Sequence, residues 1–263
     1  MIDTHCHLTF PDYAGRVDAV LTEARAVGVT GAITVSTTTL DCRDALALAE
    51  AHERLWCTAG VHPLYADGGP HTWENLRRVA GSPRCVAWGE LGLDNHYDRP
   101  AGAVQRAVLA EQMAFIASCM EGPDAIDLPV VVHCRKAHSD LIPILREGPI
   151  APDRHVFHCF TGGPDDARRV LDFGAWISFT GVVTFANAPE VREAARLVPT
   201  DRIMVETDAP FLTPEPHRKV RPNEPKYAIN TARFLAEIRG EDWDAFHTTI
   251  NDNTHRFYGV DAL

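Results

Sequence analysis

Pro129-Val130-Val131-Val132-His133 is a short apolar run, rich in β-branched residues, that ends on a histidine. Similar runs recur along the chain and are separated by amphipathic segments, which is the pattern of consecutive βα units. In a parallel barrel built from such units, the carboxyl ends of all strands meet at one face, and that face carries the chemistry. The position of His133 at the end of its run therefore makes it a candidate functional residue.

The whole chain divides into such units, and their number predicts the fold. Strands are predicted at residues 1–7, 31–36, 55–61, 85–91, 129–133, 155–158, 175–180 and 203–206. Helices are predicted at residues 14–27, 42–52, 73–79, 104–120, 139–146, 164–173, 189–197, 227–238 and 242–257. Eight strands in a chain of 263 residues match the size of a (β/α)₈ TIM barrel. We predict one barrel domain over residues 1–263, with a metal site at the carboxyl ends of the strands.

Composition limits the classes of function. The formal net charge of −11 argues against a protein that coats nucleic acid, because such binding needs many Lys or Arg contacts to phosphates. The start of the chain has no basic segment followed by an apolar stretch, so we expect no export and no membrane partner. Seven cysteines, an odd number, fit reduced thiols better than a disulfide framework. We expect a cytoplasmic protein, and no obligate protein partner is implied.

Nitrogen and oxygen donors stand at the ends of the predicted strands, where a barrel would bring them together. They are His5, His7, Glu90, His133, His158 and Asp208. A single histidine in such a place is more often structural than a ligand, but five separate strand ends carry donors here. Such a set can surround one or two divalent cations. The sequence therefore predicts a metal-dependent hydrolase.

Strand alternation sorts the side chains near each donor, because residues two apart point to the same face. Asp3, His5 and His7 share one face, so the two histidines can hold one cation with Asp3 beneath them. The cysteines next to predicted ligands, Cys6, Cys134 and Cys159, would then pack against the helices. Glu206 and Asp208 also share a side, and either acid can bind metal or accept a proton while the other orients a ligand or water.

The ordered set of motifs resembles the TatD family of metal-dependent deoxyribonucleases, which have amidohydrolase-like barrels. The resemblance runs almost end to end. It is carried by Asp3-Thr4-His5-Cys6-His7-Leu8, Gly60-Val61-His62-Pro63, Gly89-Glu90-Leu91-Gly92-Leu93-Asp94, Pro129-Val130-Val131-Val132-His133-Cys134-Arg135, His158-Cys159-Phe160-Thr161-Gly162, Ser178-Phe179-Thr180-Gly181 with Thr184-Phe185, Glu206-Thr207-Asp208-Ala209-Pro210 and Arg221-Pro222-Asn223-Glu224-Pro225. His-x-His alone occurs in many barrel hydrolases, whereas this ordered set is specific.

The resemblance implies two divalent metal ions (Mg, Mn or Zn), and it implies that His5, His7, Glu90, His133, His158 and Asp208 hold them. It also implies a deoxyribonuclease of the 3′–5′ exonuclease type, with DNA as substrate. The chain departs from the family around the site. Lys136 stands where similar proteins often carry an acid, and Asn95-His96 replaces a common aromatic residue. These departures concern substrate preference more than the metal site.

A phosphodiester mechanism can be assigned to these residues. Two cations would generate hydroxide and neutralise developing charge. We expect His5, His7 and Asp208 to hold one metal, His133 and His158 the other, and Glu90 to bridge them. Asp208 or Glu206 would accept the proton of the attacking water.

Four further residues are candidates for contact with substrate. Arg135 shares a face with His133 and can bind a phosphate oxygen, although a structural salt bridge is a comparable interpretation. His62 can reach substrate or serve as an ordinary loop histidine. The basic segment 217–221, followed by Lys226, makes Lys219 and Arg221 candidates, although most charge runs are solvated faces. We expect a strand end or single-stranded segment as the DNA target.

Two other functions remain compatible with the sequence. The same site can serve an amidohydrolase or esterase that acts on a small metabolite or an aminoacyl ester. No lysine occupies the place of a carbamylated bridge, and Glu90 in that role favours the nuclease branch. A metal-binding scaffold without catalysis would be expected to have lost at least one ligand, and the chain retains all six.

Overall fold

Eight parallel strands form one sheet, in chain order, in the computed structural model, which describes residues 1–261. The strands are β1 (Ile2–Cys6), β2 (Gly31–Thr34), β3 (Leu55–Ala59), β4 (Cys85–Asp94), β5 (Val130–Arg135), β6 (His155–Phe157), β7 (Trp176–Phe179) and β8 (Ile203–Val205). Each predicted strand is present. Six of the eight strands end earlier than predicted, so that His7, His158 and Glu206 lie just beyond a strand.

The sheet returns to its first strand. Beyond the end of β8, Asp208 N donates to His5 O at 2.9 Å and His7 N donates to Ala209 O at 2.7 Å. An isolated parallel bridge pairs Cys6 with Ala209. The predicted (β/α)₈ barrel is therefore confirmed, with the seam between β1 and β8 closed at the carboxyl end of the strands.

A helix follows every strand, and a second helix follows the last one. The helices are α1 (Val17–Ala26), α2 (Asp41–Ala51), α3 (Trp73–Ala80), α4 (Gly102–Cys119), α5 (His138–Arg146), α6 (Pro164–Phe173), α7 (Pro189–Leu197), α8 (Ala228–Arg239) and α9 (Trp243–Tyr258). Their ends agree with the predicted ends to within three residues. Proline at the first position of α6 and of α7 explains the agreement there, since proline favours the first helical turn.

The core has two layers because the strands are buried on both faces. Val130 and Val132 belong to the layer between the sheet and the helices, whereas Val131 belongs to the smaller cluster inside the barrel. Alternation places His133 on the same side as Val131, inside the barrel. The apolar run that predicted the fold therefore also aims its histidine at the barrel axis.

Strand β4 continues three residues beyond its predicted end at Leu91. Its last residues pair with β5, and Asp94 lies opposite Arg135. Gly92 has a φ of +148°, and a Cβ there would overlap the carbonyl oxygen of His133. The close approach of the two backbones thus depends on glycine, and it carries Asp94 to the mouth of the barrel.

The segment that follows β8 is tied to the first helix. Glu224 pairs with Arg16 at 2.8 Å and with Lys226 at 2.6 Å, and Lys226 also pairs with Glu23 at 2.6 Å. Asn223 donates to the carbonyl oxygen of Thr207 at 3.0 Å. These contacts hold residues 206–226 in place beside the barrel mouth.

All seven cysteines are free thiols. Cys6 and Cys134 pack in the core as predicted, although Cys134 also borders a cavity at the barrel mouth, whereas Cys159 is only half-buried and lies in the wall of that cavity. The prediction for Cys159 was wrong because its backbone turns to a φ of +44° immediately after β6. Within residues 1–261, no helix is both long and apolar enough to cross a bilayer.

Candidate metal centre

The carboxyl ends of the strands surround a cavity of about 770 Å³. Five of the six predicted metal ligands line it, namely His7, Glu90, His133, His158 and Asp208. His5 is fully buried beneath them, and its Nε2 lies 3.3 Å from His7 Nε2. The structure therefore brings all six residues together, as the sequence predicted.

Glu90 stands at the centre of the cluster, and its two oxygens face different groups of histidines. Its Oε1 lies 2.7 Å from His133 Nδ1 and 2.5 Å from His158 Nε2. The other oxygen, Oε2, lies 3.3 Å from His5 Nε2 and 3.9 Å from His7 Nε2. One carboxylate thus separates two donor groups, which is the arrangement expected of a ligand that bridges two cations.

Asp208 completes the first of these groups. Its Oδ1 lies 3.4 Å from His7 Nε2 and 3.8 Å from His5 Nε2. The residue follows β8 with a φ of +54°, and its side chain is 14 % exposed, so the carboxylate reaches the cavity. Since His5 and His7 come from the β1 side of the seam, the group forms where the first and the last strand of the barrel meet.

Hydrogen bonds behind the rings determine which nitrogen faces the centre. His7 Nδ1 lies 3.0 Å from the carbonyl oxygen of Val35, which can only accept, so Nδ1 carries a hydrogen and Nε2 faces the centre. His133 uses the opposite nitrogen. Its Nε2 is 3.1 Å from Asp94 Oδ2, which leaves Nδ1 beside Glu90. Such carboxylate and carbonyl partners orient the histidines of metal sites.

Asp94 is a site residue to which sequence reasoning gave no role. It is 1 % exposed, and its Oδ1 accepts hydrogen bonds from the backbone of His96 and Tyr97 at 2.8 and 3.3 Å. These donors fix the carboxylate that in turn fixes His133. The alternation of side chains along a strand could have identified Asp94, because it lies four residues after Glu90 and so shares its face of the strand. The extra length of β4, which delivers it to the site, was not predicted.

The two acids of the Glu206-Thr207-Asp208 segment occupy different surroundings. Glu206 is 1 % exposed and accepts from Ser178 Oγ and from the backbone N of Cys159, both at 2.6 Å. It also lies 3.3 Å from His158 Nδ1, on the side of that ring away from Glu90. Glu206 therefore supports His158 from behind, while Asp208 faces the cavity.

Asp3 was expected beneath the two histidines, and it instead holds the segment that carries Asp208. Its Oδ2 accepts from Thr207 Oγ1 at 2.5 Å and its Oδ1 from Thr207 N at 2.9 Å. Burial raises the pKa of Asp3 to about 8, against the opposing effect of these hydrogen bonds. The contact stabilises the turn at the seam rather than an imidazole.

Electrostatics favour ionised carboxylates at the centre despite their burial. Burial alone would raise the pKa of Glu90, but the surrounding imidazoles, led by that of His158, hold this pKa well below its usual range. Burial likewise opposes ionisation of Asp208, and the hydrogen bond with His7 lowers its pKa. The site thus presents negative oxygens together with imidazole nitrogens.

His62 lies next to the cluster, as the sequence allowed. Its Nδ1 accepts from Leu64 N at 2.9 Å, and burial lowers its pKa to about 3, so the ring is neutral with its hydrogen on Nε2. That Nε2 lies 3.4 Å from Glu90 Oε1 and 3.1 Å from His133 Nδ1. Although the distances alone would admit His62 to a metal group with Glu90 and His133, this tautomer makes it a hydrogen-bond donor.

Arg135 lines the cavity, and within residues 1–261 it forms no ion pair. Its guanidinium lies 5.2 Å from the ring centre of Tyr97, and Nη1 is 3.4 Å from the Tyr97 hydroxyl oxygen. Lys136, the residue that departs from the family pattern, is exposed in the same wall with a φ of +55°. Asn95, the other departure, donates to its carbonyl oxygen at 3.3 Å.

The structure does not bring Lys219 and Arg221 to this cavity. Both are exposed, but neither is among its lining residues. Arg221 folds back onto its own loop and donates to Thr213 Oγ1 at 3.0 Å and to Val220 O at 2.7 Å. Lys226 is held by Glu23 and Glu224. A contact of Lys219 and Arg221 with substrate therefore stays a prediction.

The donor set fits divalent metal ions. Glu90 Oε2 is buried and, within residues 1–261, meets no hydrogen-bond donor in suitable geometry. Two groups of potential ligands share Glu90, one with His5 and His7 and one with His62 and His133. A mixture of imidazole nitrogens and carboxylate oxygens suits Zn²⁺, Mn²⁺ and, through the oxygens, Mg²⁺.

Comparison with known proteins gives the family. A family model described as TatD related DNase matches residues 2–259. The chain belongs to the TatD family. It is 38 % identical over 268 residues to YcfH of Escherichia coli (strain K12), which is named an uncharacterized metal-dependent hydrolase. The matched region covers 100 % of this chain and 97 % of that protein.

Two further relatives bear on activity and fold. The chain is 35 % identical to the 3′-5′ ssDNA/RNA exonuclease TatD of Enterobacter lignolyticus, over 99 % of each chain. The crystal structure of YjjV, a TatD homologue from Escherichia coli K12, superposes with a TM-score of 0.90 at 30 % identity, covering 99 % of this chain and 98 % of that one. The protein is thus a TatD-family metal-dependent hydrolase with the family's barrel.

Proposed function

We propose that this hydrolase is a 3′–5′ exonuclease that cleaves phosphodiester bonds of DNA at a strand end or single-stranded segment. The observation that carries the proposal is the division of the Glu90 oxygens between two histidine groups. A two-cation centre of that kind suits in-line displacement at a phosphate, because it clamps both the attacking and the leaving oxygen. Relatives named 3′-5′ ssDNA/RNA exonuclease at about 35 % identity support the substrate class.

We assign His5, His7 and Asp208 to one cation and His133 and His158 to the other, with Glu90 shared. Divalent cations in these places, Mg²⁺, Mn²⁺ or Zn²⁺, would activate a water molecule and offset the charge of the scissile phosphate. Asp94 and Glu206 position the rings of His133 and His158. The cavity wall then excludes bulk water from one side of the reacting phosphate.

Asp208 is our candidate for the group that accepts the proton of the attacking water. Its carboxylate is ionised and faces the cavity, whereas both oxygens of Glu206 already accept hydrogen bonds. Glu206 then acts as a positioning residue rather than as the base.

Arg135 and His62 are the candidates for contact with the phosphate. Arg135 has donors beside the cavity, and His62 lines the same cavity with a neutral ring whose N–H, now beside Glu90 and His133, could turn to a phosphate oxygen. A guanidinium pairs well with phosphate oxygens, and a fixed neutral donor loses no charge on binding. Both contacts would orient the phosphodiester over Glu90.

Two further points belong to the proposal. The match of the family model to residues 2–259 supports a single hydrolase domain over residues 1–263. Seven unpaired cysteines agree with residence in a reducing compartment, and we propose the cytoplasm.

The test is cleavage of end-labelled substrates by purified protein reconstituted with each metal. We expect single-stranded DNA labelled at the 5′ end to shorten stepwise from its 3′ end. RNA and a panel of carboxylic esters and aminoacyl esters should be run in parallel, since the same centre could attack a carbonyl. The Asp208→Asn protein, purified identically, controls for contaminating nuclease.

The outcomes are distinct. Stepwise shortening that chelator abolishes and metal restores supports the proposal. Rapid ester hydrolysis with intact DNA would instead favour the amidohydrolase or esterase function. Shortening at the same rate in the Asp208→Asn preparation would assign the nuclease to a contaminant.

A further inference from the structure

Two exposed aromatic rings stand on opposite sides of the cavity mouth. Tyr97 follows β4 and Phe211 follows β8, and strands four apart in a closed sheet of eight lie across the barrel from each other. Their side chains are 50 % and 49 % exposed, yet both line the same cavity as Glu90 and Asp208. Among the Phe, Tyr and Trp side chains of residues 1–261, only Tyr65 is comparably exposed, and it does not line the cavity.

Each ring is held in place without being covered. Phe211 meets Phe10 edge-on, with ring centres 6.1 Å apart, and its backbone N donates to Asp208 O at 2.9 Å. Tyr97 rests against Arg135 at 5.2 Å, and its backbone N donates to Asp94 Oδ1 at 3.3 Å. Both rings are therefore fixed relative to residues of the metal centre.

We propose that Tyr97 and Phe211 form a nucleobase clamp, in which each ring stacks on one base of the strand end while the phosphate between them lies over Glu90. This inference rests on the proposed nuclease function and names how that site recognises its substrate. Bases are the fitting occupants because every base has a π face, so stacking tolerates any sequence. Arg135 and Lys136 lie beside Tyr97, where the backbone phosphates would need cations.

The clamp gives a physical reason for preferring single strands. Bases in a duplex already stack on their neighbours, so they can reach Tyr97 and Phe211 only after unpairing and unstacking. A single strand reaches the rings without that cost.

The test combines protein variants that lack one aromatic ring with DNA strands that lack one base. Tyr97→Leu and Phe211→Leu keep an apolar side chain but remove the π face, and at these exposed positions they should leave the urea midpoint of unfolding unchanged. The substrates are one single-stranded oligodeoxynucleotide and two copies with an abasic site at the last or the penultimate 3′ position. KM and kcat are measured for each pair of protein and strand.

We expect each leucine variant to raise KM for the intact strand about tenfold, the effect of losing one stacked base, with little change in kcat. For the strand that lacks the matching base, the same variant should change KM no further, because the interaction is already absent. Tyr97→Phe and Phe211→Tyr, which keep the ring, should restore the KM of the original protein.

Two results would overturn the clamp. Intact and abasic strands could be cleaved with the same KM by the original protein, or the leucine variants could raise KM equally for both strands. In either case the nuclease function would stand while the clamp failed. Absence of strand cleavage under every metal condition would instead remove the proposed function, and the clamp with it.

Discussion

Asp208 and Glu206 show how two acids only two residues apart can have different roles. Asp208 faces the cavity and the seam histidines, while Glu206 is enclosed by Ser178, Cys159 and His158. The sequence could not separate them, because alternation puts both on the same side of the strand. The partners of Glu206 come from β7 and from the residues after β6, whereas those of Asp208 are His5 and His7 at the end of β1, and both sets lie far away in the sequence.

Asp208→Asn should lower kcat at least about 10²-fold, because it removes the proposed proton acceptor while keeping the size of the side chain. The free energy of unfolding without metal should stay the same or decrease, since the pKa of Asp208 is lowered in the fold and the charge that His7 stabilises is lost. Steady-state kinetics on single-stranded DNA and urea unfolding give the two quantities. If the variant kept the original kcat, another group would have to accept the proton, and Glu206→Gln is the variant to compare next.

His155 supports a prediction about pH that is separate from the metal centre. The ring is fully buried at the start of β6, its Nδ1 donates to Ala151 O at 3.0 Å, and burial lowers its pKa to about 4. The unfolded chain binds a proton near pH 6.5, so below that pH protons favour unfolding. This contribution to stability is complete above pH 6.5 and is lost as the pH falls toward 4.

His155→Gln, which keeps a donor but cannot be charged in this range, should therefore unfold with a weaker pH dependence. Between pH 7.5 and 5 we expect the original protein to lose about 2 kcal/mol more than the variant. Urea unfolding at both pH values measures the difference. Parallel losses in the two proteins would mean that the pKa of His155 is the same in the folded and the unfolded chain.

At the scale of elements, Gly92 is the residue on which the contact between β4 and β5 depends. Gly92→Ala should destabilise the protein by at least about 2 kcal/mol, since the new Cβ meets the backbone of His133 and the φ of +148° strains any other residue. Metal affinity should fall as well, because the displaced backbone carries a ligand. Urea unfolding and metal titration measure the two effects.

Gly102→Ala is the matched control for this substitution. Gly102 begins α4, and a Cβ there would make only ordinary contact with the flexible end of Arg106. Alanine favours a helix more than glycine does, so this variant should be neutral or slightly more stable. Equal destabilisation by both substitutions would contradict the role given to the approach of β4 and β5.

The elements themselves could largely be predicted from the sequence. Apolar runs gave all eight strands, and the amphipathic segments gave all nine helices of residues 1–261. The end of β4 could not be predicted, because Gly92 and Asp94 interrupt the apolar run, and the strand continues there by pairing with β5. Tyr97 and Phe211 were also missed as candidates, since their shared cavity depends on strands that are opposite in space.

At the scale of the whole molecule, metal binding should appear as stability. A ligand that binds only the folded state adds about 2.7 kcal/mol when its free concentration is a hundred times its Kd. For a chain of this length that corresponds to a rise in Tm of about 5 °C. Thermal unfolding with Mn²⁺ or Zn²⁺, and again after chelation, measures the shift without any assay of activity.

The same measurement on Asp208→Asn and on a variant outside the centre separates specific from general effects. The Asp208→Asn protein should gain much less from the metal, while Lys219→Ala, at a residue that does not line the cavity, should gain as much as the original protein. A shift of equal size in all three would point to binding elsewhere.

The seam between β1 and β8 has a consequence for how the barrel opens. A cation held by His5, His7 and Asp208 would cross-link segments separated by roughly 200 residues, and constraining a loop of that length removes much of the freedom of the open ring. Without it, two backbone hydrogen bonds, from His7 N and from Asp208 N, fasten the first strand to the last at this end. Exchange of these two amide hydrogens with solvent should therefore slow when metal binds. The metal centre would then also keep the first and last strands of the barrel together.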